Sequence, residues 1–412
     1  MNKTDVIVVG GGIAGLIAAA VSSQNNKVTL ITYGSGSLPL FSGTFDVLGR
    51  NAEGNFIFAP GKGIENLPKS HPYKKIGADY IKDATEFFIK LAEKYNLNYV
   101  GSLERQIPVV TAAGTLKYSC LVPKSMDATN LSKAKKIFVV AVKGLKDFYA
   151  EMITANLKKF ISNDIQAVEV DLDFLGGRDI TSLDAAQFLD DESVAAKLTT
   201  QLKNFGSDNA FVMPPIFGST GDSVYEKVKS QVGAEIFETT CLPPSPQGMR
   251  LQKVLVQALR DNGVKIFENT KVLRALQEDK KIIGVVVQTA VREKVYRAEK
   301  VILATGGFYS GGITMRDFEQ PKETIFDLPV YFVQGEENWS NKDLFAAKPQ
   351  GFSMTGILTD ENLRPMQADG KKVVGGFENV RVVGNNLGGA DFIFERSAGG
   401  IALTSAYKAA VI

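Results

Sequence analysis

The chain is poor in the residues that most enzymes use for metal binding and for acid–base catalysis. Its 412 residues include two cysteines, Cys120 and Cys241, and one histidine, His71. Two cysteines without a CxxC pair do not suffice for an iron–sulfur cluster, a structural zinc site or a disulfide framework. A single histidine argues against a Ser/His/Asp triad and against a multi-histidine centre. We therefore predict no metal site and expect a bound cofactor to supply the chemistry.

The chain also lacks an excess of charge and a long hydrophobic run. Lys and Arg number 47 against 45 Asp and Glu, which gives no electrostatic reason to expect nucleic acid. The apolar stretch of residues 6–21 is interrupted by ordered glycines and lacks the basic start of a secretory signal. No other stretch approaches the roughly 20 apolar residues of a membrane helix. We predict a cytoplasmic protein that reaches the inner face of the cell membrane only through a partner.

The start of the chain has the pattern of a dinucleotide-binding βαβ unit. A β-branched strand at residues 5–9 precedes a GxGxxG turn, a helix-forming stretch at 16–21 and a second strand at 27–31. The glycines of such a unit allow a tight turn, close approach of a pyrophosphate to the backbone, and packing of helix on strand. The helix N-terminus favours the phosphates electrostatically. The cofactor-binding residues predicted here are Gly10, Gly12, Ile13, Ala14 and Gly15.

One residue that usually completes this unit is missing. The second strand commonly ends in Asp or Glu, which binds a ribose 2′-hydroxyl. Here Ile31 is followed by Thr32, Tyr33 and Gly34. The Thr32 hydroxyl can take the place of the acid or can simply cap the end of the strand. The absence of an acid weakens the case for an adenosine-bearing cofactor, and for NAD in particular.

Two later strands are also followed by turns of small residues. A buried strand at 301–303 and another at 380–383 run into glycine-containing turns, and a glycine pair opens the last predicted helix. Turns of this kind leave backbone N–H groups free to meet a flat or anionic ligand. Three such elements along the chain predict a nucleotide-binding domain that is interrupted by an insertion. The residues predicted to contribute are Ala304, Thr305, Gly306, Gly384, Gly399 and Gly400.

Motifs along nearly the whole chain resemble those of one flavoprotein family. They include residues 40–48 (LFSGTFDVL), 243–251 (PPSPQGMRL), 303–312 (LATGGFYSGG), 359–365 (TDENLRP) and the segment from 379 onward. Together these motifs resemble the two-domain flavoproteins of the glutathione-reductase and fumarate-reductase lineage. More narrowly, they resemble the B-type subunits of anaerobic glycerol-3-phosphate dehydrogenases.

The resemblance implies an α/β fold with a Rossmann-like flavin-binding domain of the glutathione-reductase type and an inserted α/β cap. The flavin-binding domain is expected to comprise residues 1–46, 244–310 and 372–412, and the cap residues 47–243 and 311–371. The cofactor implied by the family is FMN, whereas the dinucleotide-type turn favours FAD. The implied partners are an FAD-containing catalytic subunit and an iron–sulfur subunit associated with the membrane. Electrons from sn-glycerol 3-phosphate, which is oxidised to dihydroxyacetone phosphate, would pass to quinone.

The matching motifs also provide candidates for the reacting face. Arg250 and Arg364 can hold a phosphate or an anionic reduced flavin, or else form ordinary ion pairs. His71 can accept the proton of the substrate C2 hydroxyl, or can be a structural loop histidine. Residues that can present small groups to the flavin, or form a plain loop, are Ser42, Gly43 and Thr44.

Because so few bases are present, we predict a flavin-dependent oxidoreductase that acts inside a complex as an electron relay or supporting flavin subunit. Two alternatives remain open. The first is a non-catalytic assembly subunit that keeps the flavoprotein fold. The second is a stand-alone flavin-dependent oxidoreductase of the hydroxyacid or fumarate type, for which glycerol 3-phosphate would be one possible small-molecule substrate.

Overall fold

The computed structural model describes residues 3–173, 178–279, 281–316, 320–343 and 350–412. The strands are β1 (Lys3–Val9), β2 (Val28–Ile31), β3 (Tyr99–Gly101), β4 (Ile107–Val110), β5 (Leu116–Ser119), β6 (Leu121–Pro123), β7 (Lys136–Val142), β8 (Asp164–Val170), β9 (Ala210–Met213), β10 (Glu235–Glu238), β11 (Lys265–Phe267), β12 (Lys271–Glu278), β13 (Lys281–Gln288), β14 (Glu293–Leu303), β15 (Ile313–Thr314), β16 (Lys322–Glu323) and β17 (Val380–Val382). The α-helices are α1 (Ile13–Ser22), α2 (Pro60–Glu65), α3 (Pro72–Ile76), α4 (Ala78–Lys94), α5 (Ala150–Leu157), α6 (Ser182–Phe188), α7 (Glu192–Lys203), α8 (Ser223–Val232), α9 (Pro246–Asp261) and α10 (Ala398–Val411).

The chain divides into two compact units. The first comprises Met1–Ser37, Asp46–Phe88 and Leu255–Ile412, and the second comprises Leu38–Phe45 and Ile89–Val254. None of the helices in the described part of the chain has both the length and the apolarity needed to cross a bilayer.

The first unit is built on a seven-stranded sheet in the order β11-β2-β1-β14-β13-β12, with β17 also paired to β14. Strands β11, β2, β1, β14 and β17 are parallel, and their buried, largely β-branched and aliphatic residues suit a sheet that is covered on both faces. The register pairs Val9 with both Ile31 and Leu303, and Leu303 with Val382. The carboxyl ends of four strands therefore lie side by side in one row.

Strand β14 belongs to two arrangements at once. Its first part pairs antiparallel with β13, which pairs with β12, whereas its last three residues lie between β1 and β17. Helix α1 follows β1 directly, is buried along its whole length, and packs against α10. This βαβ start matches the predicted dinucleotide-binding unit.

The second unit contains a parallel sheet in the order β10-β9-β7-β8, with two short antiparallel pairs, β3–β6 and β4–β5. Its core includes Ile137, Val139, Phe211, Val212 and Ile236, none of which is exposed to solvent. Alternation of strands with helices α5 to α8 gives the second α/β layer structure expected from the sequence.

The boundaries of the two compact units differ from those of the predicted domains, which stay a prediction. Residues 46–88, together with the described residues of 311–371, belong to the first unit, whereas 38–45 belong to the second, which extends to residue 254. The physical reason is hydrogen bonding across the sequence. The hydroxyl of Tyr73 donates to the carbonyl groups of Val47 and Ser397, which joins residues 46–88 to the segment before α10. Residues 174–177, 317–319 and 344–349 of the predicted cap lie outside the described residues.

Candidate cofactor site

The turns after β1, β14 and β17 converge at the row of strand ends. A Cβ added at Gly10 would lie 2.2 Å from the carbonyl oxygen of Ala304, and one added at Gly384 would lie 2.8 Å from the Cβ of Ala14. Gly10 has φ +118°, and a Cβ on Gly15 would lie 1.8 Å from the Gly10 carbonyl oxygen. Side chains are excluded at these positions because backbone and helix approach each other this closely. The structure thus brings the three sequence-predicted turns together.

A buried asparagine joins the second turn to the third. The Oδ1 of Asn386 accepts a hydrogen bond of 2.6 Å from the backbone N–H of Gly306, and its amide nitrogen donates to the Thr305 hydroxyl at 2.9 Å. The backbone N–H of Gly384 donates to the Ser405 hydroxyl on α10 at 2.9 Å. Asn386 and Ser405 are not among the residues predicted from the sequence, because their roles depend on which strands are neighbours.

The start of α1 offers a cradle for an anion. Gly12 is the N-cap residue in extended backbone, no side chain caps the helix, and a Cβ added at Gly12 would meet nothing within 4 Å. The first N–H groups of an α-helix have no partner inside the helix, and they lie at the positive end of its dipole. Backbone donors that border open space at a glycine turn fit the pyrophosphate of a dinucleotide.

The end of β2 does not provide a ribose ligand of the usual kind. The Thr32 hydroxyl donates to the carbonyl oxygen of Gly34 and accepts from the Gly34 N–H at 3.3 Å. Of the two roles considered for Thr32, this geometry supports the one in which the hydroxyl closes the turn after the strand. Tyr33 beside it is 70% exposed.

Gly400 has a role in packing, which corrects its assignment to the cofactor. Its N–H donates to the Asp46 carbonyl oxygen at 2.8 Å, and a Cβ there would lie 2.2 Å from the hydroxyl oxygen of Tyr73. The protein itself occupies the space next to this glycine. Gly399, half-buried in the first turn of α10, stays a prediction.

Both ring nitrogens of His71 have hydrogen-bond partners within the protein. Its Nδ1 accepts a hydrogen bond from the backbone N–H of Tyr73 at 3.1 Å, so that it caps α3, and its Nε2 lies 3.0 Å from a carboxylate oxygen of Glu395. The side chain is 2% exposed. Because Nδ1 accepts, Nε2 carries the proton and donates it to Glu395. No ring nitrogen is left to take a substrate proton, and this corrects the catalytic assignment of His71.

The two predicted phosphate-binding arginines also have carboxylate partners. Arg250, 2% exposed, donates through both terminal nitrogens to Glu238 at 2.7 and 2.9 Å, and through Nε to the Gly218 carbonyl oxygen at 2.8 Å. All three guanidinium nitrogens donate within the protein, and this buried pair supports the ion-pair role considered for Arg250. Arg364 is partly exposed, and its Nε donates to Asp360 at 2.7 Å.

The loop of residues 42–44 lies in the second unit. The Thr44 hydroxyl accepts from the ammonium group of Lys117 at 2.8 Å and lies 3.0 Å from the Ser42 hydroxyl. Gly43 has φ +85°, and its carbonyl oxygen accepts from the hydroxyl of Tyr99 at 2.7 Å. Burial raises the pKa of Tyr99, so the phenol stays neutral and remains a donor. The predicted contact of this loop with flavin stays a prediction.

A Rossmann-type βαβ start, three converging turns and an uncapped helix facing open space define a dinucleotide-binding flavoprotein. The chain belongs to the family described as FAD binding domain, whose model matches residues 5–401. FAD is therefore the flavin of this chain, as the dinucleotide-type turn predicted.

Relatives of nearly the same length carry a more specific name. The B-type subunit of the anaerobic glycerol-3-phosphate dehydrogenase of Mannheimia succiniciproducens is 28% identical over 427 residues, with 98% of this chain and 97% of the relative covered. The probable B-type subunit of the corresponding anaerobic dehydrogenase of Halobacterium salinarum is 29% identical over 422 residues, with 99% and 97% covered. These relatives confirm the resemblance found in the sequence. Among solved structures, the 3-ketosteroid delta1-dehydrogenase of Sterolibacterium denitrificans aligns with a TM-score of 0.47 at 12% identity, covering 100% of this chain and 99% of that one.

Proposed function

We propose that this chain is the FAD-carrying B-type subunit of an anaerobic sn-glycerol-3-phosphate dehydrogenase, and that it relays electrons within the complex. The observation that carries the proposal is the convergence of three turns at the aligned ends of β1, β14 and β17. The names of the full-length relatives support the particular activity and the membership of a complex.

Bound FAD would supply the redox chemistry, and the chain's own residues would hold and orient it. The backbone N–H groups of Gly12, Ile13 and Ala14 would bind the pyrophosphate. The hydrogen bond that Asn386 donates to Thr305 and the one that it accepts from the Gly306 N–H would hold the second turn in shape beside the cofactor.

We infer the relay role, rather than oxidation of the substrate by this chain, because the candidate catalytic side chains already have partners within the protein. His71 is occupied by Tyr73 and Glu395, and Arg250 is occupied by Glu238. A dehydrogenase that oxidises an alcohol needs a base within hydrogen-bond reach of the hydroxyl proton. We propose that a partner subunit provides that base. The proposed partners are an FAD-containing catalytic subunit and an iron–sulfur subunit at the inner face of the cell membrane.

The same observation, that His71 and Arg250 already have partners within the protein, favours one other role. This is the role of an assembly subunit that keeps the fold without redox function. The two roles are separated by purifying the full chain alone and together with its co-expressed partner subunits. The relay predicts the absorption spectrum of oxidised flavin in the isolated chain, with FAD found by mass after heat release. It also predicts that glycerol 3-phosphate bleaches this flavin only when the partners are present. A chain that purifies without flavin and takes none up when FAD is added would refute the relay.

A further inference from the structure

Two arginines of the first unit differ from Arg250 and Arg364 because they have no carboxylate partner among the described residues. Neither Arg50 nor Arg396 makes an ion pair or a side-chain hydrogen bond with any residue that the structure describes. The two arginines lie on adjoining segments, and Arg50 is half-buried whereas Arg396 is exposed.

The backbone holds the two arginines close together. The N–H groups of Gly49 and Arg50 both donate to the Glu395 carbonyl oxygen, at 2.8 and 3.1 Å. A Cβ added at Gly49 would lie 3.1 Å from Cβ and 3.3 Å from Cδ of Arg396. The side chain of Arg396 therefore runs across Gly49, next to Arg50.

Arg396 is held in an unfavourable backbone conformation. Its φ is +54°, in the left-handed region that residues other than glycine rarely adopt. Such a conformation is strained and persists only where the surroundings impose it. The neighbouring residue is fixed by its contacts, because the carboxylate of Glu395 is bonded to His71 at 3.0 Å and to the Ser397 hydroxyl at 3.2 Å. Strain of this kind concentrates at functional sites.

The local charge is also unfavourable in the absence of an anion. Burial and the nearby charge of Arg50 lower the pKa of Arg396, and Asp46 opposes them. Two like charges that are kept together, one of them on a strained residue, are stabilised by a doubly charged ligand. Arginine forks donate parallel hydrogen bonds to phosphate oxygens, which makes a pair of them suited to a phosphate group.

We propose that Arg50 and Arg396 form a binding site for the phosphate group of a small phosphomonoester. The contacts of Glu395 with His71 and Ser397 position Arg396 for this purpose, so His71 has a positioning role. The proposal rests on the proposed function only for the choice of sn-glycerol 3-phosphate as the probe.

Isothermal titration calorimetry on the full, flavin-loaded chain tests the site. The probes are sn-glycerol 3-phosphate, inorganic phosphate and glycerol. The variants are Arg50→Gln and Arg396→Gln, with Arg274→Gln as the control, because Arg274 is an exposed arginine already paired with Glu293. Each of the first two variants is expected to weaken phosphomonoester binding about tenfold or more, since each loses charge-assisted hydrogen bonds. The control and the wild type should bind equally, and glycerol should not bind.

Arg396→Gly keeps the test informative if a glutamine variant folds poorly. Glycine adopts φ +54° without strain, so this variant should unfold at the same temperature as the wild type or a higher one, yet should lose phosphomonoester binding. Tighter binding of inorganic phosphate than of glycerol 3-phosphate would identify a plain anion site and overturn the proposal. Unchanged affinity in the arginine variants would overturn it as well. So would loss of FAD from those variants, since the arginines would then serve the cofactor. Flavin content is read separately by absorbance, so failure of the phosphate site and failure of the FAD proposal are distinguishable.

Discussion

Replacing Gly12 with aspartate should expel FAD from a chain that remains folded. Gly12 is the N-cap of α1 in extended backbone, and a Cβ added there meets nothing within 4 Å. Aspartate is among the preferred N-cap residues, and it stabilises a helix start by about a few tenths of a kcal/mol relative to glycine. The substitution is therefore expected to leave the apo protein as stable as before or slightly more stable.

The effect on FAD binding follows from charge. The new carboxylate would lie where the helix N-terminus meets the pyrophosphate, and it would accept the N–H groups that the phosphates need. Two unit charges about 4 Å apart repel by about 4 kcal/mol at the effective dielectric constant typical near a protein surface. At about 1.4 kcal/mol per factor of ten, this repulsion corresponds to a loss of nearly a thousandfold in affinity.

The matched control is Gly12→Asn, which has nearly the same shape, also caps helices, and carries no charge. Apo protein of each variant is titrated with FAD and followed by the quenching of flavin fluorescence, and thermal unfolding of the apo forms is compared. We expect the aspartate variant to bind at least a hundredfold more weakly than the asparagine variant, on the order set by the same Coulomb argument. If the two variants bind FAD equally well, the pyrophosphate does not lie at this helix start and the reasoning fails.

Three further predictions concern buried groups. Arg250→Met leaves the Glu238 carboxylate buried without its cation, so the free energy of unfolding in urea should fall by about 3–5 kcal/mol; adding Glu238→Gln should restore part of it. Burial raises the pKa of Asp222 from 3.8 to about 6, so the folded chain binds more protons than the unfolded chain between these values. Stability should therefore fall as pH rises through this window, and Asp222→Asn should flatten the fall when denaturation midpoints are compared from acidic to neutral pH. Asn386→Ala removes the hydrogen bonds with Thr305 and Gly306 that link two turns. It should therefore weaken FAD binding about tenfold in the same fluorescence titration.

Each of these predictions has a result that would contradict it. An Arg250→Met protein as stable as wild type would mean that the buried pair contributes nothing to the fold. An Asp222→Asn protein with the wild-type pH profile would assign the titration to another group. Unchanged FAD affinity in Asn386→Ala would separate the turn after β14 from the cofactor site.

The cofactor turns could be predicted because their signals are local. The strand at 5–9, the glycines after it and the helix that follows are adjacent in sequence, and each has a steric reason to occupy its place. The turns at 304–306 and 384 follow buried strands of the same kind. Parallel pairing then aligns their ends, so the convergence follows from strand order alone.

The side-chain assignments were harder because they depend on distant partners. The sequence around His71 allows both a catalytic base and a structural histidine. Its ring contacts Glu395, which is 324 residues away along the chain. The sequence around Arg250 is compatible with a phosphate ligand and with an ion pair, and the fold buries it against Glu238. Nothing in the local sequence of Arg396 indicates that its backbone is left-handed. In each case the partner, and not the residue itself, decides the role.

The division of strand β14 between two arrangements bears on how the protein is made. Its first part can pair with β13 and its residues from Arg297 onward with β1 as soon as it leaves the ribosome, whereas the other edge of its last three residues gains its partner only with β17. The third glycine turn and helix α10 follow β17 along the chain, so the three turns can converge only after the residues that follow β17 have been made. Full binding of FAD is thereby expected to follow the synthesis of β17, and a nascent chain stalled before residue 380 would lack one strand of the sheet and the third glycine turn.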